Sequence, residues 1–439
     1  MTKDELTKKK VSAISLGCDK NRVDLEKMLF KIKEKGFEIV ASPEEANIVI
    51  VNTCAFILPA KKEAIDSIIE MEFLKRKGII EKIIVTGCFP ERNFDELKEN
   101  FSDVDAFLRL RDNDRITEII ENLYGAEKTK LKQGIGRVVT TPASYAFLKI
   151  ADGCSNACSY CIIPRIRGRF RSTKMEQLVD EAELLVKNGA KEIILVAQDV
   201  SRYGEDLYGE SKLIELCKKL VKIKGLKWLR LHYLYPENVT TELLDYMRSE
   251  EKICNYLDIP LQHIDEDILK SMRRRLNENE TRDLMKKIKK DYSDFVIRTT
   301  FIVGYPGESI KANTKLCKFL TEIKFDYAGF FPYFREENTA SYFMKNQVSQ
   351  WRKILRVKRV KKIQEKVFNN KLKSIIGQEV EAMVDGFDSL TGYYFGHTQQ
   401  LSPNTDFGLN IEGENLVVGE IVKVKIVDFD GNNFGGVKL

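Results

Sequence analysis

The stretch Cys154-Ser-Asn-Ala-Cys158-Ser-Tyr-Cys161 places three cysteines within eight residues. Thiolates this close, with small or flexible residues between them, can converge on one metal centre. Three ligands are too few for a closed structural zinc site, which needs four. They suit a four-iron cluster whose fourth iron stays open to another ligand. The alternative, three unrelated core or zinc cysteines, is disfavoured because this spacing seldom arises by chance.

The C-x3-C-x2-C spacing resembles that of the radical S-adenosylmethionine superfamily. The resemblance implies that Cys154, Cys158 and Cys161 hold a [4Fe-4S] cluster whose open iron binds the amine and carboxylate of S-adenosylmethionine. An electron from the cluster then splits the sulfonium and yields a 5′-deoxyadenosyl radical. By the same resemblance Tyr160 lies against the adenine of the cofactor, and packing in the core is the alternative for this ring.

Length and composition limit the class of protein. A chain of 439 residues is too long for one ordinary core, so two or three domains are expected. The 72 basic and 66 acidic residues do not by themselves indicate nucleic-acid binding. The sequence contains no apolar run of about 18 residues and no secretion signal, so we expect a cytoplasmic protein without a membrane span. In a reducing compartment the cysteine spacings favour metal binding over disulfides.

The N-terminal part alternates apolar strands with amphipathic helices, which predicts a parallel sheet. The apolar runs at 11–16, 47–51 and 82–85 are separated by helical patterns at 24–35 and 59–77. Cysteines follow these three runs, and ligands bind at the carboxyl edge of such a sheet. The topology therefore predicts a second three-thiolate site, made by Cys18, Cys54 and Cys88. Three buried structural cysteines are the alternative.

Three segments of this part resemble the N-terminal domain of the methylthiotransferases. They are Ser15-Leu-Gly-Cys-Asp-Lys-Asn-Arg-Val-Asp24, Asn52-Thr-Cys54 and Thr86-Gly-Cys88. The resemblance implies a second [4Fe-4S] cluster at Cys18, Cys54 and Cys88, which holds or delivers the sulfur to be inserted. Asp19 stands where the family usually has proline, and Phe89-Pro-Glu91 replaces a leucine-centred stretch; neither position is a ligand.

The middle of the chain predicts a partial (β/α) TIM-like barrel. Apolar strands are expected at 146–150, 192–196, 226–231, 256–259, 295–303 and 327–331. Active sites of such barrels lie at the carboxyl ends of the strands. We therefore predict cofactor contacts at Gln198, Gln262 and Gly304, and the superfamily resemblance adds Arg298 as a partner of the cofactor carboxylate. Histidines near strand ends have a structural role more often than a catalytic one, and this applies to His232 and His263. No side chain is assigned as a catalytic acid or base.

Several basic segments have two interpretations. Arg165, Arg167, Arg169 and Arg171 alternate with other residues and, if extended, would present four guanidiniums on one face to an anionic group. Salt bridges with acidic neighbours are the alternative. Arg273-Arg-Arg275 is interpreted as a solvated charge run. Residues 350–373 predict an amphipathic linker helix with ten basic side chains, for which RNA contact is an open alternative.

A strand is expected at 134–140.

The C-terminal stretch 371–439 predicts a small antiparallel β-barrel. Its position and its opening, Ile376-Gly-Gln-Glu-Val380, resemble the TRAM domain that ends the methylthiotransferases. The stretch has five basic and ten acidic residues, a net charge of −5. A module that grips RNA phosphates should be basic. This one is better suited to a basic protein partner.

The predicted fold class is therefore α/β, with three domains. They are an N-terminal parallel α/β domain (9–143), a radical S-adenosylmethionine barrel with its basic helix (144–370) and a TRAM barrel (371–439). Within the family, one branch is favoured by Ile163-Pro-Arg-Ile-Arg-Gly-Arg169, Tyr203-Gly-Glu-Asp-Leu-Tyr-Gly209 and Asp258-Ile-Pro-Leu-Gln-His263.

Those segments resemble the branch that modifies ribosomal protein uS12 of the small subunit. The resemblance implies methylthiolation of the β-carbon of one aspartate of that protein, with two [4Fe-4S] clusters, S-adenosylmethionine and an external electron donor such as flavodoxin or ferredoxin. The alternatives are a tRNA adenosine methylthiotransferase and a non-catalytic electron-transfer or RNA-binding protein. The first alternative predicts a basic tail, and the second predicts no formation of 5′-deoxyadenosine.

Overall fold

The structure is a computed structural model and describes residues 3–126 and 136–439. The chain divides into two compact units. The first comprises Met1–Thr140, Gly153–Ser155 and Ile162–Arg169, and the second comprises Thr141–Asp152, Asn156–Cys161 and Phe170–Leu439. The cysteine motif thus contributes residues to both units, and the three-domain boundaries stay a prediction.

The first unit contains the predicted parallel sheet. Its five strands all pair in parallel. The central strand, Ile-Val-Ile-Val-Asn-Thr, is buried at every position, as expected of a β-branched strand covered on both faces. In sheet order the strands are Glu38–Ile39, Lys10–Ser15, Ile48–Thr53, Lys82–Gly87 and Ala106–Phe107.

Helices cover both faces of this sheet and supply two apolar cores. The predicted strand at 134–140 begins outside the described residues, and 136–140 have no regular secondary structure. The α-helices are Lys3–Thr7, Asp19–Glu34, Leu58–Arg76, Cys88–Asn100, Ile116–Leu123 and Ile163–Ile166, with 3-10 turns at Pro43–Glu45 and Leu110–Arg115.

The second unit contains the six strands of the predicted partial barrel. They form two three-stranded parallel sheets in chain order, linked by a bridge between Leu229 and Ile253. The predicted strands and the observed ones agree closely, because each is a short apolar run bounded by polar residues or glycine. The strands are Tyr145–Lys149, Glu192–Val196, Trp228–Leu231, Tyr256–Asp258, Val296–Val303 and Tyr327–Pro332.

Helices connect these strands. Glu278–Asp291 begins with a reciprocal capping box between Asn277 and Glu280, which satisfies backbone donors that a helix start leaves unpaired. The other α-helices of this part are Met175–Lys187, Glu205–Tyr208, Leu213–Leu220, Thr241–Ser249, Glu266–Ser271 and Ile310–Ile323. Short 3-10 turns lie at Val200–Arg202, Pro236–Asn238 and Ala340–Phe343, and the short strands Ala151–Asp152 and Arg171–Ser172 pair with each other.

A long basic helix, Gln350–Ile375, leads to the C-terminal barrel. Of the apolar residues on this helix, Val360 is buried, whereas Ile354 is 44% exposed. The C-terminal strands close into a barrel and pair antiparallel, except that Gly408–Glu412 and Asn433–Lys438 pair in parallel. Its other strands are Glu379–Asp388, Tyr393–Thr398 and Ile421–Phe429. Within the described residues, no helix is long and apolar enough to cross a membrane.

The closed barrel contacts the first residues of the partial-barrel strands inside the second unit. His397 lies buried between two carboxylates, Asp385 and Glu192. Arg230 donates to Glu192 and to the carbonyls of Thr398 and Gln399. This buried, hydrogen-bonded charge network fixes the closed barrel against the strands of the partial barrel.

Candidate iron–sulfur and cofactor sites

The three N-terminal cysteines follow three neighbouring strands of the first unit. Asn52 pairs with Ser15 on one side and with Thr86 on the other. Cys18 caps the helix Asp19–Glu34, Cys54 follows Ile48–Thr53 directly, and Cys88 opens the helix Cys88–Asn100. All three thiols therefore lie at the same carboxyl edge of the sheet, where the sequence predicts them.

Two glycines allow the strand ends to approach one another. Gly17 has φ +89°, and a Cβ there would lie 2.5 Å from Cys54 Cβ and 2.9 Å from its Sγ. Gly87 has φ +97°, and a Cβ there would lie 2.3 Å from the carbonyl oxygen of Thr53. Only glycine fits a positive φ with so little space. The glycines therefore set the spacing between the loops that carry Cys18, Cys54 and Cys88.

Arg167 supplies a positive charge beside this edge. Its Nη2 lies 3.7 Å from Cys88 Sγ and its Nη1 donates to Asp24 at 2.9 Å. Nη2 also donates to Asn21, whose amide donates to the carbonyl of Leu16 at 2.9 Å. The helix Ile163–Ile166 precludes the extended face of four arginines, so that conditional prediction is wrong. Arg167 is buried, whereas Arg165, Arg169 and Arg171 are exposed.

Burial favours the neutral form of two of these thiols. Burial raises the pKa of Cys54 to about 11, with a further contribution from Cys18. Burial also raises the pKa of Cys88 to about 12, and Arg167 opposes that shift. Metal ligation needs thiolates and releases their protons. Three thiols beside a fixed guanidinium fit an iron–sulfur cluster, because the cation offsets part of the negative charge that the thiolates bring.

The cysteines of the C-x3-C-x2-C motif lie in both units. Cys154 is buried in the first unit, where its N–H donates to the carbonyl of Gly168 at 3.0 Å. Cys158 is buried in the second unit, and Cys161 donates from its N–H to the Cys158 carbonyl at 3.1 Å. No cysteine of the described residues forms a disulfide. Across residues 3–126 and 136–439, no three His, Cys, Asp or Glu side chains already have the spacing of a bound metal ion.

A guanidinium that the sequence analysis assigned to solvent lies beside Cys158 in the second unit. Arg274 Nη1 lies 3.9 Å from Cys158 Sγ, and Nη2 donates to the Pro260 carbonyl at 3.0 Å. The interpretation of Arg274 as a solvated charge is therefore wrong. Asn156 donates to Asp199 at 2.9 Å, and burial raises the pKa of Asp199 to about 6. A consecutive arginine run gives no signal of which member turns inward.

Two glutamines have the features of ligand-binding side chains. Gln198 follows the strand Glu192–Val196, and its side-chain oxygen is buried without a hydrogen-bond partner among the described residues. A buried unpaired acceptor is costly, so a ligand donor at this position would be stabilising. Gln262 has φ +71°, a strained conformation for a residue with a side chain, of the kind found at functional sites. Both stay predicted cofactor contacts.

The other predicted contacts have protein neighbours. A Cβ at Gly304 would lie 2.4 Å from Lys353 Cγ, so packing against Lys353 already requires glycine there. Arg298 donates to Asp258 at 3.0 Å and lies 3.3 Å from Asp406. It is the third residue of its strand, roughly 17 Å along the strand from Val303. Tyr160 is half-buried against the apolar cluster that includes Tyr305 and Tyr333.

The two histidines near strand ends make structural hydrogen bonds. His232 Nε2 lies 2.8 Å from the Ser402 hydroxyl, and His263 Nδ1 accepts from the backbone N–H of Asp265 at 3.0 Å. A cavity of about 1060 Å³ also lies far from the strand ends, since Val296 and Tyr327, the first residues of their strands, line it. Neither feature adds to the predicted cofactor site.

Comparison with known proteins matches two segments of the chain to family models. Residues 10–109 match the family described as uncharacterized protein family UPF0004, and residues 148–320 match the radical SAM superfamily. A solved structure of the radical S-adenosylmethionine methyltransferase TsrM from Kitasatospora setae is similar with a TM-score of 0.54 and 13% identity. The similarity covers 73% of this chain and 72% of that chain, and it shows the fold alone.

Relatives of known name match almost the whole chain. The ribosomal protein uS12 methylthiotransferase RimO of Thermoanaerobacter sp. is 43% identical over 96% of this chain and 98% of the relative. The protein of the same name from Lachnoclostridium phytofermentans is 41% identical over 95% of this chain and 97% of the relative. The chain therefore belongs to the radical S-adenosylmethionine methylthiotransferases, in the family of the ribosomal protein uS12 methylthiotransferases.

Proposed function

We propose that this protein transfers a methylthio group to the β-carbon of an aspartate in ribosomal protein uS12. One observation carries the proposal: Cys18, Cys54 and Cys88 share one sheet edge, in a chain that also has the radical S-adenosylmethionine motif. Two three-thiolate sets match a reaction that needs both a radical generator and a sulfur source. An unactivated C–H bond has no proton acidic enough for a side-chain base, so proton abstraction would not suffice.

The residues of the chain have separate tasks in this reaction. When bound, the two [4Fe-4S] clusters and S-adenosylmethionine supply the radical and the methylthio group. Cys154, Cys158 and Cys161 hold one cluster, and Cys18, Cys54 and Cys88 hold the other. Arg167 offsets negative charge beside Cys88, and Arg274 does so beside Cys158. Gln198 uses its unpaired oxygen to orient the cofactor.

The charge of the closed barrel supports a protein substrate. Residues 371–439 have a net charge of −5, which opposes contact with tRNA phosphates and favours a basic ribosomal protein. The remaining partner is an external electron donor such as flavodoxin or ferredoxin, because cleavage of the cofactor consumes one electron. A protein that modifies a ribosomal component works in the cytoplasm, and we place this one there.

A comparison of two substrates, offered separately, tests the proposal. The protein is reconstituted anaerobically with iron and sulfide, reduced, and given S-adenosylmethionine with either a peptide of the uS12 loop or a tRNA anticodon stem-loop. A mass gain on the peptide alone is expected. A gain on the RNA alone would contradict the assignment of the substrate, and the absence of 5′-deoxyadenosine with both would contradict the enzyme itself.

A further inference from the structure

The basic helix presents an uncovered face near its start. Trp351 is 60% exposed and Leu355 is 56% exposed. Lys358 and Lys362 are also exposed and share the same stripe, since positions four, seven and eleven residues apart lie on one side of a helix. The opposite side, with Lys353 and Val360, is buried. The stripe therefore faces away from the protein packing that holds the helix.

Exposed residues near the start of the helix are grouped with this stripe, and together we call them the docking patch. Phe343 is 74% exposed, and the Arg352 guanidinium lies 5.1 Å from the Trp351 ring centroid. Residues 335–362 contain nine basic and two acidic residues, a net charge of +7. Exposed aromatic and aliphatic groups with a charged rim are the composition of a protein interface. The patch comprises Phe343, Trp351, Arg352, Leu355, Lys358 and Lys362.

The segment that carries Phe343 is hydrogen-bonded to the cysteine motif within the second unit. Ser341 N–H donates to the carbonyl of Ser159 at 2.8 Å, and Ser159 directly follows Cys158. The Ser159 hydroxyl also lies 2.7 Å from the Tyr305 hydroxyl. Phe343 is two residues beyond Ser341, so their Cα atoms are at most about 7 Å apart. The exposed Phe343 ring is thus close to the backbone that carries Cys158.

The start of the helix is fixed to the same region. Lys353 donates to the Tyr333 carbonyl at 2.8 Å, and its side chain packs on Gly304. The Tyr333 and Tyr305 rings contact each other at a centroid distance of 5.4 Å. Arg356 donates to the Glu308 carbonyl at 2.7 Å. The packed residues between Cys158 and the helix are therefore continuous.

We infer that the docking patch binds a small acidic electron-carrier protein that reduces the cluster at Cys154, Cys158 and Cys161. This inference rests on the proposed function, because the carrier loses one electron, the cluster gains it, and no atom is transferred. The exposed positive charge of Arg352, Lys358 and Lys362 selects an acidic partner. It also repels a basic ribosomal protein, which leaves the patch available to the carrier while the substrate binds elsewhere.

Charge reversal tests the inference when two reductants are compared. The reconstituted protein is reduced either by dithionite or by a bacterial flavodoxin, and 5′-deoxyadenosine formation is measured at low and high salt. Arg352→Glu combined with Lys358→Glu should lower kcat/KM for flavodoxin at least tenfold and leave the dithionite rate unchanged. Lys366→Glu combined with Lys373→Glu changes the charge equally at the far half of the same helix and should preserve both rates.

A second variant tests the apolar part of the patch. Trp351→Ala combined with Leu355→Ala should weaken flavodoxin-dependent turnover with little change in its salt dependence. Unchanged flavodoxin rates in both patch variants would overturn the inference. Equal losses with dithionite would also overturn it, since the patch would then act on the site itself. If the patch variants keep the flavodoxin-dependent rate of 5′-deoxyadenosine formation but no longer modify the uS12 peptide, the patch binds the substrate and not the electron carrier. If the wild-type protein forms no 5′-deoxyadenosine with either reductant, the proposed function itself is refuted.

Discussion

His397 makes the stability of the second unit depend on pH. The imidazole is buried, and burial disfavours its charged form, but Glu192 and Asp385 outweigh burial and raise the pKa of His397 to about 9. Glu192 in turn accepts from Arg230, and Asp385 accepts from the Ser144 hydroxyl. A rise from about 6.5 to about 9 is worth about 3 kcal/mol of unfolding free energy.

The sign follows from the raised pKa. The folded state binds one more proton than the unfolded state between pH 6.5 and 9, so the contribution is complete below pH 6.5 and is lost as pH rises through 9. Urea unfolding of the chain without clusters, under anaerobic and reducing conditions, measures this loss. His397→Gln should lower the unfolding free energy at pH 6.5 and should remove about 3 kcal/mol of the pH dependence.

The comparison of variant and wild type isolates His397. Burial raises the pKa of Cys217 and of Cys254 to about 12, so these thiols also reduce stability in alkali, but they do so in both proteins. Equal pH dependence in the two proteins would refute the reasoning. A His397→Gln chain as stable as the wild type at pH 6.5 would refute it as well.

Three further predictions concern the two sites. The first uses a chain whose Cys154, Cys158 and Cys161 are replaced, so that only the N-terminal cluster site can bind iron. In that chain Arg167→Ala should lower the iron content and reduce the unfolding free energy by about 3 kcal/mol. Arg167→Lys should recover much of the iron, and a full iron content in the alanine variant would contradict the proposed role of Arg167. Gly17→Ala should lower the unfolding free energy by at least about 1–2 kcal/mol and should lower the iron content. The control Gly78→Ala places a Cβ with no atom within 4 Å and should retain the iron. Equal iron contents in the two variants would contradict the argument that Gly17 sets the spacing of the cysteine loops. Gln198→Ala should leave the melting temperature almost unchanged but weaken S-adenosylmethionine binding in equilibrium dialysis, and an unchanged Kd would exclude Gln198 as a contact.

Local patterns were sufficient to predict most of the fold. Fully buried β-branched runs such as Ile48–Thr53 specify parallel strands, and the topology then places the residues after Lys10–Ser15 and Lys82–Gly87 at the same edge. The topology alone therefore predicted that three cysteines, Cys18, Cys54 and Cys88, lie at one edge of the sheet. The closed barrel was predicted from its turns, but the parallel pairing of Gly408–Glu412 has no local signal.

Long-range contacts were beyond the reach of the sequence. Arg167 lies 143 positions from Asp24, and Arg274 lies 116 positions from Cys158. His397 is 205 positions from Glu192. Each contact depends on how complete elements pack, which propensity and periodicity do not encode. Pro164 at the start of the helix Ile163–Ile166 was an available signal against an extended segment, since proline favours the first turn of a helix.

The central claim is that the two cysteine sets have separate tasks, and one reaction tests it by measuring two products. Cys54→Ser and Cys158→Ser variants are incubated with the uS12 peptide, reductant and S-adenosylmethionine, and both 5′-deoxyadenosine and peptide mass are recorded. The wild type should form the nucleoside and add about 46 Da to the peptide, as expected when SCH3 replaces H. Cys54→Ser should still form the nucleoside without the mass gain, and Cys158→Ser should give neither. A mass gain from Cys54→Ser would contradict the account.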